Sequence, residues 1–78
     1  MTNLEKYKKV FTETFGVSED GLEDLEYQGI SEWDSVGHMT LVSELEDAFD
    51  IMMDTDDIID FSSFKKGMEI LSKYNIVF

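Results

Sequence analysis

The chain has 78 residues, 18 of them acidic and six of them lysine, and a formal net charge of −12 at pH 7. A chain this short forms one domain over residues 1–78 and buries only about 60% of its unfolded surface, which excludes an enclosed, multilayered active site and favours a carrier or binding module. The lack of a basic stripe excludes a nucleic-acid interface, and the lack of cysteine excludes disulfides and thiolate metal sites.

The first predicted helix spans residues 3–15. Thr2 or Asn3 can cap it, and Thr2 with Glu5 has the spacing of a capping box. Gly16 suits the left-handed position that ends a helix. One face carries the apolar spacing of an amphipathic helix and consists of Leu4, Tyr7, Val10, Phe11, Thr14 and Phe15.

Residues 16–34 show no sustained period and predict a long ordered loop, with turns at Asp20-Gly21 and at Gly29. A short helical turn over residues 22–25 is one option within it. The loop is too apolar for a free linker, so it is expected to be pinned to the helices by Leu22, Leu25, Tyr27, Ile30 and Trp33. So long a connection in so small a domain usually has a function.

The second predicted helix spans residues 35–50, with apolar residues at 36, 39, 42, 45 and 49. Ser35 stands immediately before the first of them and is expected to be the N-cap, with its hydroxyl exposed. Gly37 lies in the first turn at a cost in helix propensity. Either close packing or room for a group attached to Ser35 would explain this glycine.

A short helix is predicted at residues 55–60, capped by Asp54 or Thr55. The acidic run raises the alternative of a calcium-binding loop beginning at Asp54. Such a loop needs glycine at its sixth position and glutamate at its twelfth, and this chain has Ile59 and Lys65 there. We therefore expect no dedicated metal site.

The last predicted helix spans residues 63–74 and is capped by Ser62 or Ser63. Its core positions are expected to be Phe64, Met68, Leu71 and Tyr74, and residues 76–78 are expected to fold back onto the bundle. The pattern as a whole predicts an all-α bundle of three main helices and one short helix, with a long ordered loop between the first two.

The run Trp33-Asp34-Ser35-Val36-Gly37-His38-Met39, followed by Leu41-Val42 and by residues 45–51, resembles the acyl carrier protein family. The order and spacing of the elements resemble that family over nearly the whole chain. The resemblance implies that Ser35 is esterified with 4′-phosphopantetheine from coenzyme A, and that the thiol of this group holds acyl or aminoacyl cargo as a thioester. It implies a carrier and not an enzyme.

The resemblance also implies partners: a phosphopantetheinyl transferase, a ligase that loads acyl or aminoacyl groups, and acyl-transferring enzymes with basic patches. It assigns partner recognition to the two neighbours of Ser35, which are Asp34 and Val36. It assigns the same role to the acidic positions Glu46, Asp47 and Asp56 on the second and third helices, and to the apolar Met53. We expect a cytoplasmic monomer that does not insert into a membrane. Gly37, Thr40 and the Trp-Asp-Ser form of the motif favour a stand-alone carrier in fatty-acid, polyketide or specialised biosynthesis over the generic fatty-acid carrier.

Two other functions need to be weighed against the carrier, and only the second remains as the alternative. Asp34, Ser35 and His38 could suggest a hydrolase, but the Gly-x-Ser-x-Gly elbow is missing, and His38 is expected to be a surface residue. The chain could also be an acidic helical interaction module that is never modified. The fate of the cargo is open as well, since a lipid-binding shell or an ordinary core could be formed by Met39, Val42, Leu45, Phe49, Phe64 and Met68.

Overall fold

The computed structural model describes all 78 residues and confirms the all-α bundle, with three principal helices and one short helix. The helices are α1 (Asn3–Phe15), α2 (Ser35–Phe49), α3 (Thr55–Asp60) and α4 (Phe64–Ser72). A 3₁₀ turn at Leu22–Asp24 interrupts the loop between α1 and α2, as the sequence suggested. The last helix is shorter than predicted at both ends. No helix combines the length and the apolar character needed to cross a membrane.

The ends of α1 and α4 follow the local sequence signals. The backbone N–H of Glu5 donates to Thr2 Oγ1 at 3.1 Å, and that of Thr2 donates to Glu5 Oε1 at 2.9 Å, so the predicted capping box is present. Gly16 ends α1 in the left-handed region, at φ 66°. Of the two candidates for the cap of α4, Ser63 is the one that accepts the N–H of Lys66, at 2.9 Å.

The core is built around a group of aromatic rings from α1, α4 and the long loop. Phe11 is fully buried and meets the rings of Tyr7, Trp33 and Phe64 at centroid distances of 5.0, 5.5 and 5.1 Å. The hydroxyl of Tyr7 donates to the carbonyl oxygen of Phe64 at 2.7 Å, and burial raises the pKa of this hydroxyl. The remaining apolar core includes Leu22, Leu41, Val42, Leu45, Phe61, Ile70 and Leu71.

The long loop is fastened to the start of α4 by backbone hydrogen bonds. The N–H of Tyr27 donates to the carbonyl of Ser62, and the N–H of Phe64 donates to the carbonyl of Leu25, both at 2.9 Å. Trp33 is fully buried at the far end of the loop. The loop is therefore ordered, as expected, and its last residues are held in place where α2 begins.

The C-terminal residues fold back only in part. Ile76 is buried in the core, and Phe78 packs beside Tyr7 with 5.2 Å between the ring centroids. Val77 is exposed, although its carbonyl accepts a hydrogen bond from Asn3 Nδ2 at 3.0 Å.

Candidate functional site

Ser35 is the first residue of α2 and its side chain is exposed, but it is not the N-cap that the sequence suggested. The cap is Asp34, whose carboxylate accepts the N–H of Gly37 at 2.8 Å. Asp34 has the extended backbone that a cap requires, at φ −102° and ψ −168°. Aspartate and serine are equally good caps, so the pair Asp34-Ser35 left a one-residue ambiguity. In the structure Asp34 is the cap, and the Ser35 hydroxyl makes no hydrogen bond within the protein.

The backbone around Ser35 is suited to a negative charge. The N–H of His38 donates to the carbonyl of Asp34 at 2.7 Å, and that of Gly37 is capped by the Asp34 carboxylate. The N–H groups of Ser35 and Val36 make no hydrogen bond within the protein. Free N–H groups at the positive end of a helix dipole stabilise anions, above all phosphates.

Gly37 is explained by close packing. A Cβ at this position would overlap the carbonyl oxygen of Glu32 and would lie 3.3 Å from Cε1 of Phe15. The first turn of α2 therefore lies against the end of the loop, at a separation that a side chain would prevent. Of the two explanations that the sequence left open, the structure supports this one.

His38 is a structural link and not the surface residue that we expected. Nδ1 of its ring accepts the indole N–H of Trp33 at 2.9 Å, and Nε2 lies 2.8 Å from the carbonyl oxygen of Ile58. Because an indole N–H can only donate, Nδ1 must be the acceptor and Nε2 must carry the proton. Both nitrogens are thus engaged, and neither is free to take a proton from Ser35.

A groove of about 350 Å³ opens beside Ser35, between α2, α3 and the long loop. It is mostly apolar and is lined by Tyr27, Ser35, His38, Met39, Ile58, Ile59, Phe61 and Ser62. A second, more polar depression lies on the other side of Met39 and is also bordered by Ser35. The hydroxyl of Ser35 therefore stands at the edge of both.

The apolar side chains of α2 are buried only in part. Val36 is 74% exposed and Met39 is 54% exposed, because the first turns of α2 border these open depressions and not the core. The buried side chains of the helix are Leu41, Val42 and Leu45. Together with Ile59, at 72% exposure, Val36 and Met39 form an exposed apolar area around Ser35.

The residues expected to recognise partners fall into two groups. Asp34, Val36, Asp47 and Asp56 are exposed. The side chains of Glu46 and Met53 are less accessible to a partner. The partner contact predicted for Met53 is wrong, because this side chain is buried. These two residues hold the turn after α2, where Glu46 Oε2 accepts the N–H of Met53 at 2.9 Å. Met53 is 6% exposed, and the accessible side chain at this turn is that of Met52, which is 85% exposed.

Asp57 ties α3 to the end of α4, a role that no local sequence pattern indicates. Its carboxylate accepts hydrogen bonds from Lys73 Nζ at 2.5 Å and from the Tyr74 hydroxyl at 2.6 Å. The same hydroxyl accepts the N–H of Asp54 at 2.8 Å. The hydrogen bonds from Lys73 and Tyr74 lower the pKa of Asp57, and that from Lys73 has the larger effect. These contacts tie α3 and its N-cap to the residues that directly follow α4.

Charge is unevenly distributed along the chain. Residues 34–60, which include α2 and α3, contain nine acidic residues and no lysine or arginine. All six lysines lie within residues 6–9 and 65–73. The segments that border Ser35 are therefore strongly negative. No group of three His, Cys, Asp or Glu side chains is arranged to hold a metal ion.

Comparison with known proteins does not identify a family. A scan against protein-family models, a search of curated proteins and a search of solved structures each found no match. The features that bear on function are therefore the motif around Ser35 and the geometry of the residues that surround it.

Proposed function

We propose that this protein is a stand-alone acyl carrier protein and that Ser35 carries 4′-phosphopantetheine. The observation that supports it most is the presentation of Ser35. Its exposed hydroxyl lies at the first residue of the 15-residue helix α2, inside the Asp-Ser-Val motif, and makes no hydrogen bond of its own.

The residues around Ser35 fit a phosphodiester and an arm attached there. The unpaired N–H groups of Ser35 and Val36 lie at the positive end of α2, where they would stabilise the phosphodiester charge. The groove beside Ser35 offers apolar surface from Met39 and Ile59 for the arm. The thiol of the attached group would hold acyl or aminoacyl groups as thioesters, so the chemistry would be that of the cofactor and its partner enzymes.

The charge distribution supports partners with basic surfaces. The segment 34–60, which begins next to Ser35, has nine acidic residues and no lysine or arginine, and it would attract lysine and arginine patches, chiefly by speeding encounter. The partners in this proposal are a phosphopantetheinyl transferase, a loading ligase and acyl-transferring enzymes. Asp34, Val36, Asp47 and Asp56 are the accessible residues for such contacts.

The proposal includes a monomeric state and a cytoplasmic location. Two copies of a chain with a net charge of −12 repel each other, which opposes self-association. The proposed cofactor is donated by coenzyme A, so the protein must meet both coenzyme A and a transferase.

The test is the intact mass after incubation with coenzyme A and a broad-specificity phosphopantetheinyl transferase. We expect the wild-type chain to gain the mass of one phosphopantetheine and Ser35→Ala to gain nothing. Ser31→Ala is the matched control, since Ser31 is an exposed serine four residues earlier, and it should be modified like the wild type. An unchanged wild-type mass would instead favour the unmodified interaction module, and a gain that persists in Ser35→Ala would contradict the assignment.

A further inference from the structure

A layer of aromatic rings separates the groove at Ser35 from the core. The ring of His38 lies beside that of Trp33 in a nearly parallel plane, with 6.2 Å between centroids and 15° between planes, and Phe61 meets His38 edge-on at 6.1 Å. Trp33 and Phe61 are at most 1% exposed. The hydrogen bonds of His38 to Trp33 and to the carbonyl of Ile58 join the loop, α2 and α3 across the bottom of the groove.

The space beyond this layer is already filled. Val42, Leu45 and Phe64, which could have lined a lipid chamber, are packed in the core cluster. Five cavities of the protein, including the groove, are bordered by none of these three side chains. Cargo entering from Ser35 would have to break the hydrogen bonds of His38 and also displace packed side chains.

The groove is large enough for part of an arm and too small for an arm with long cargo. Its volume is about 350 Å³, and it is open to solvent beside Ser35, so it is not an enclosed chamber. Because Ser35 stands at its edge, the part that fits is the part nearest the phosphodiester. That part of pantetheine combines two methyl groups with an amide, and the groove combines Met39 and Ile59 with the hydroxyls of Tyr27 and Ser62.

We propose that the hydrogen-bond chain Trp33–His38–Ile58 closes the bundle to cargo, so that the groove holds the arm and the acyl group stays in solvent. This inference depends on the proposed function. It identifies the substrate class as short or polar acyl and aminoacyl groups, because a long hydrocarbon would remain exposed to water at a cost that grows with each methylene. His38 is the positioning residue that keeps the core closed.

The test compares the holo protein with forms carrying acetyl, alanyl, octanoyl and dodecanoyl groups, each verified by intact mass. The melting temperature should rise from apo to holo, and every loaded form should then melt within about 1 °C of the holo form, since cargo in solvent adds no binding free energy to the folded state. The chain has a single tryptophan, so the indole N–H resonance of Trp33 reports directly on the hydrogen bond to His38. It should not move along the series. Stepwise stabilisation by the longer chains, or a shift of this resonance, would overturn the inference.

His38→Ala tests whether His38 is the gate. In this variant the dodecanoyl form should melt above its own holo form, and the Trp33 resonance should shift on loading. Ser43→Ala, an exposed change on the same helix, should behave like the wild type. If the His38→Ala protein folds and its melting temperature and Trp33 resonance respond to chain length as in the wild type, the role of His38 is contradicted. If the variant does not fold, the wild-type series alone decides the inference.

A chemical route separates this inference from the proposed function. Because the chain has no cysteine, Ser35→Cys supplies a single thiol that can be alkylated with iodoacetamides bearing alkyl tails of increasing length. No tail should move the Trp33 resonance if the core is closed, and movement with long tails would overturn the inference. Failure of the transferase to modify Ser35 would count against the carrier function, while the alkylated series would still measure the closure.

Discussion

The indole N–H of Trp33 donates to Nδ1 of His38 at 2.9 Å, and this bond connects the end of the long loop to the first turn of α2. Trp33→Phe keeps an aromatic ring but removes the donor and some buried volume. We expect a loss of about 1–3 kcal/mol in the free energy of unfolding, measured by urea denaturation followed by circular dichroism. Tyr27→Phe is the control, since the Tyr27 side chain is partly exposed, and it should stay within ~0.5 kcal/mol of the wild type. Equal stability of Trp33→Phe and the wild type would show that the bond contributes nothing.

Gly37→Ala should destabilise the protein even though alanine is the better helix former by about 1 kcal/mol. The new methyl group would overlap the carbonyl oxygen of Glu32, and backbone cannot move aside as a flexible side chain can. We expect a net loss of about 1–3 kcal/mol in urea denaturation. Ser43→Ala on the exposed side of the same helix should change little. A Gly37→Ala protein as stable as the wild type would rule out the close contact.

Asp57 should make stability depend on pH in the acid range. The pKa of Asp57 is lowered in the folded state, chiefly by the hydrogen bond from Lys73. The ionised carboxylate therefore contributes its full stabilisation above the pKa of an unfolded aspartate, about 4. This stabilisation is lost as the pH falls through the lower pKa of the folded state. Asp57→Asn should therefore be less stable than the wild type at pH 7. The difference should shrink steadily below about pH 4.

Urea midpoints measured between pH 7 and pH 3 test this dependence. Asp56→Asn, at the exposed neighbouring position, should follow the wild-type curve closely. A gap between Asp57→Asn and the wild type that stays constant over this range would mean that ionisation of Asp57 is not the cause.

Added salt should stabilise the fold. With a net charge of −12 and no basic residue among residues 34–60, repulsion within the folded chain exceeds attraction. The Debye length falls from about 30 Å at 0.01 M salt to about 8 Å at 0.15 M, which screens most of this repulsion. The melting temperature should rise by several degrees over that range of NaCl. A steady fall would indicate that ion pairs, such as that between Asp57 and Lys73, dominate instead.

The elements of this fold are predictable from the sequence because their signals are local. The Thr2–Glu5 capping box, Gly16 and Ser63 all act within one helical turn, and each of them performs its expected role. The order of the loop also follows from its content of large apolar residues, of which Leu22 and Trp33 are buried.

The features that were not predicted depend on contacts between distant segments. Val36 stands about 2.5 helical turns before Leu45 and therefore on the opposite side of α2, but helical spacing does not show that an open groove lies beside Met39. The link from His38 to Ile58 depends on where α3 lies, which no spacing within α2 reveals. Asp57 was indistinguishable from Asp56 because only its pairing with Lys73 sets it apart.

The central claim is that Ser35 receives a group ending in a thiol, and the absence of cysteine makes this directly measurable. Thiol titration of the denatured protein should find no thiol before treatment with coenzyme A and a phosphopantetheinyl transferase. After treatment and removal of free coenzyme A it should find one thiol per chain in the wild type and in Ser31→Ala, and none in Ser35→Ala. No thiol in the treated wild type, or one in the treated Ser35→Ala protein, would contradict the carrier assignment.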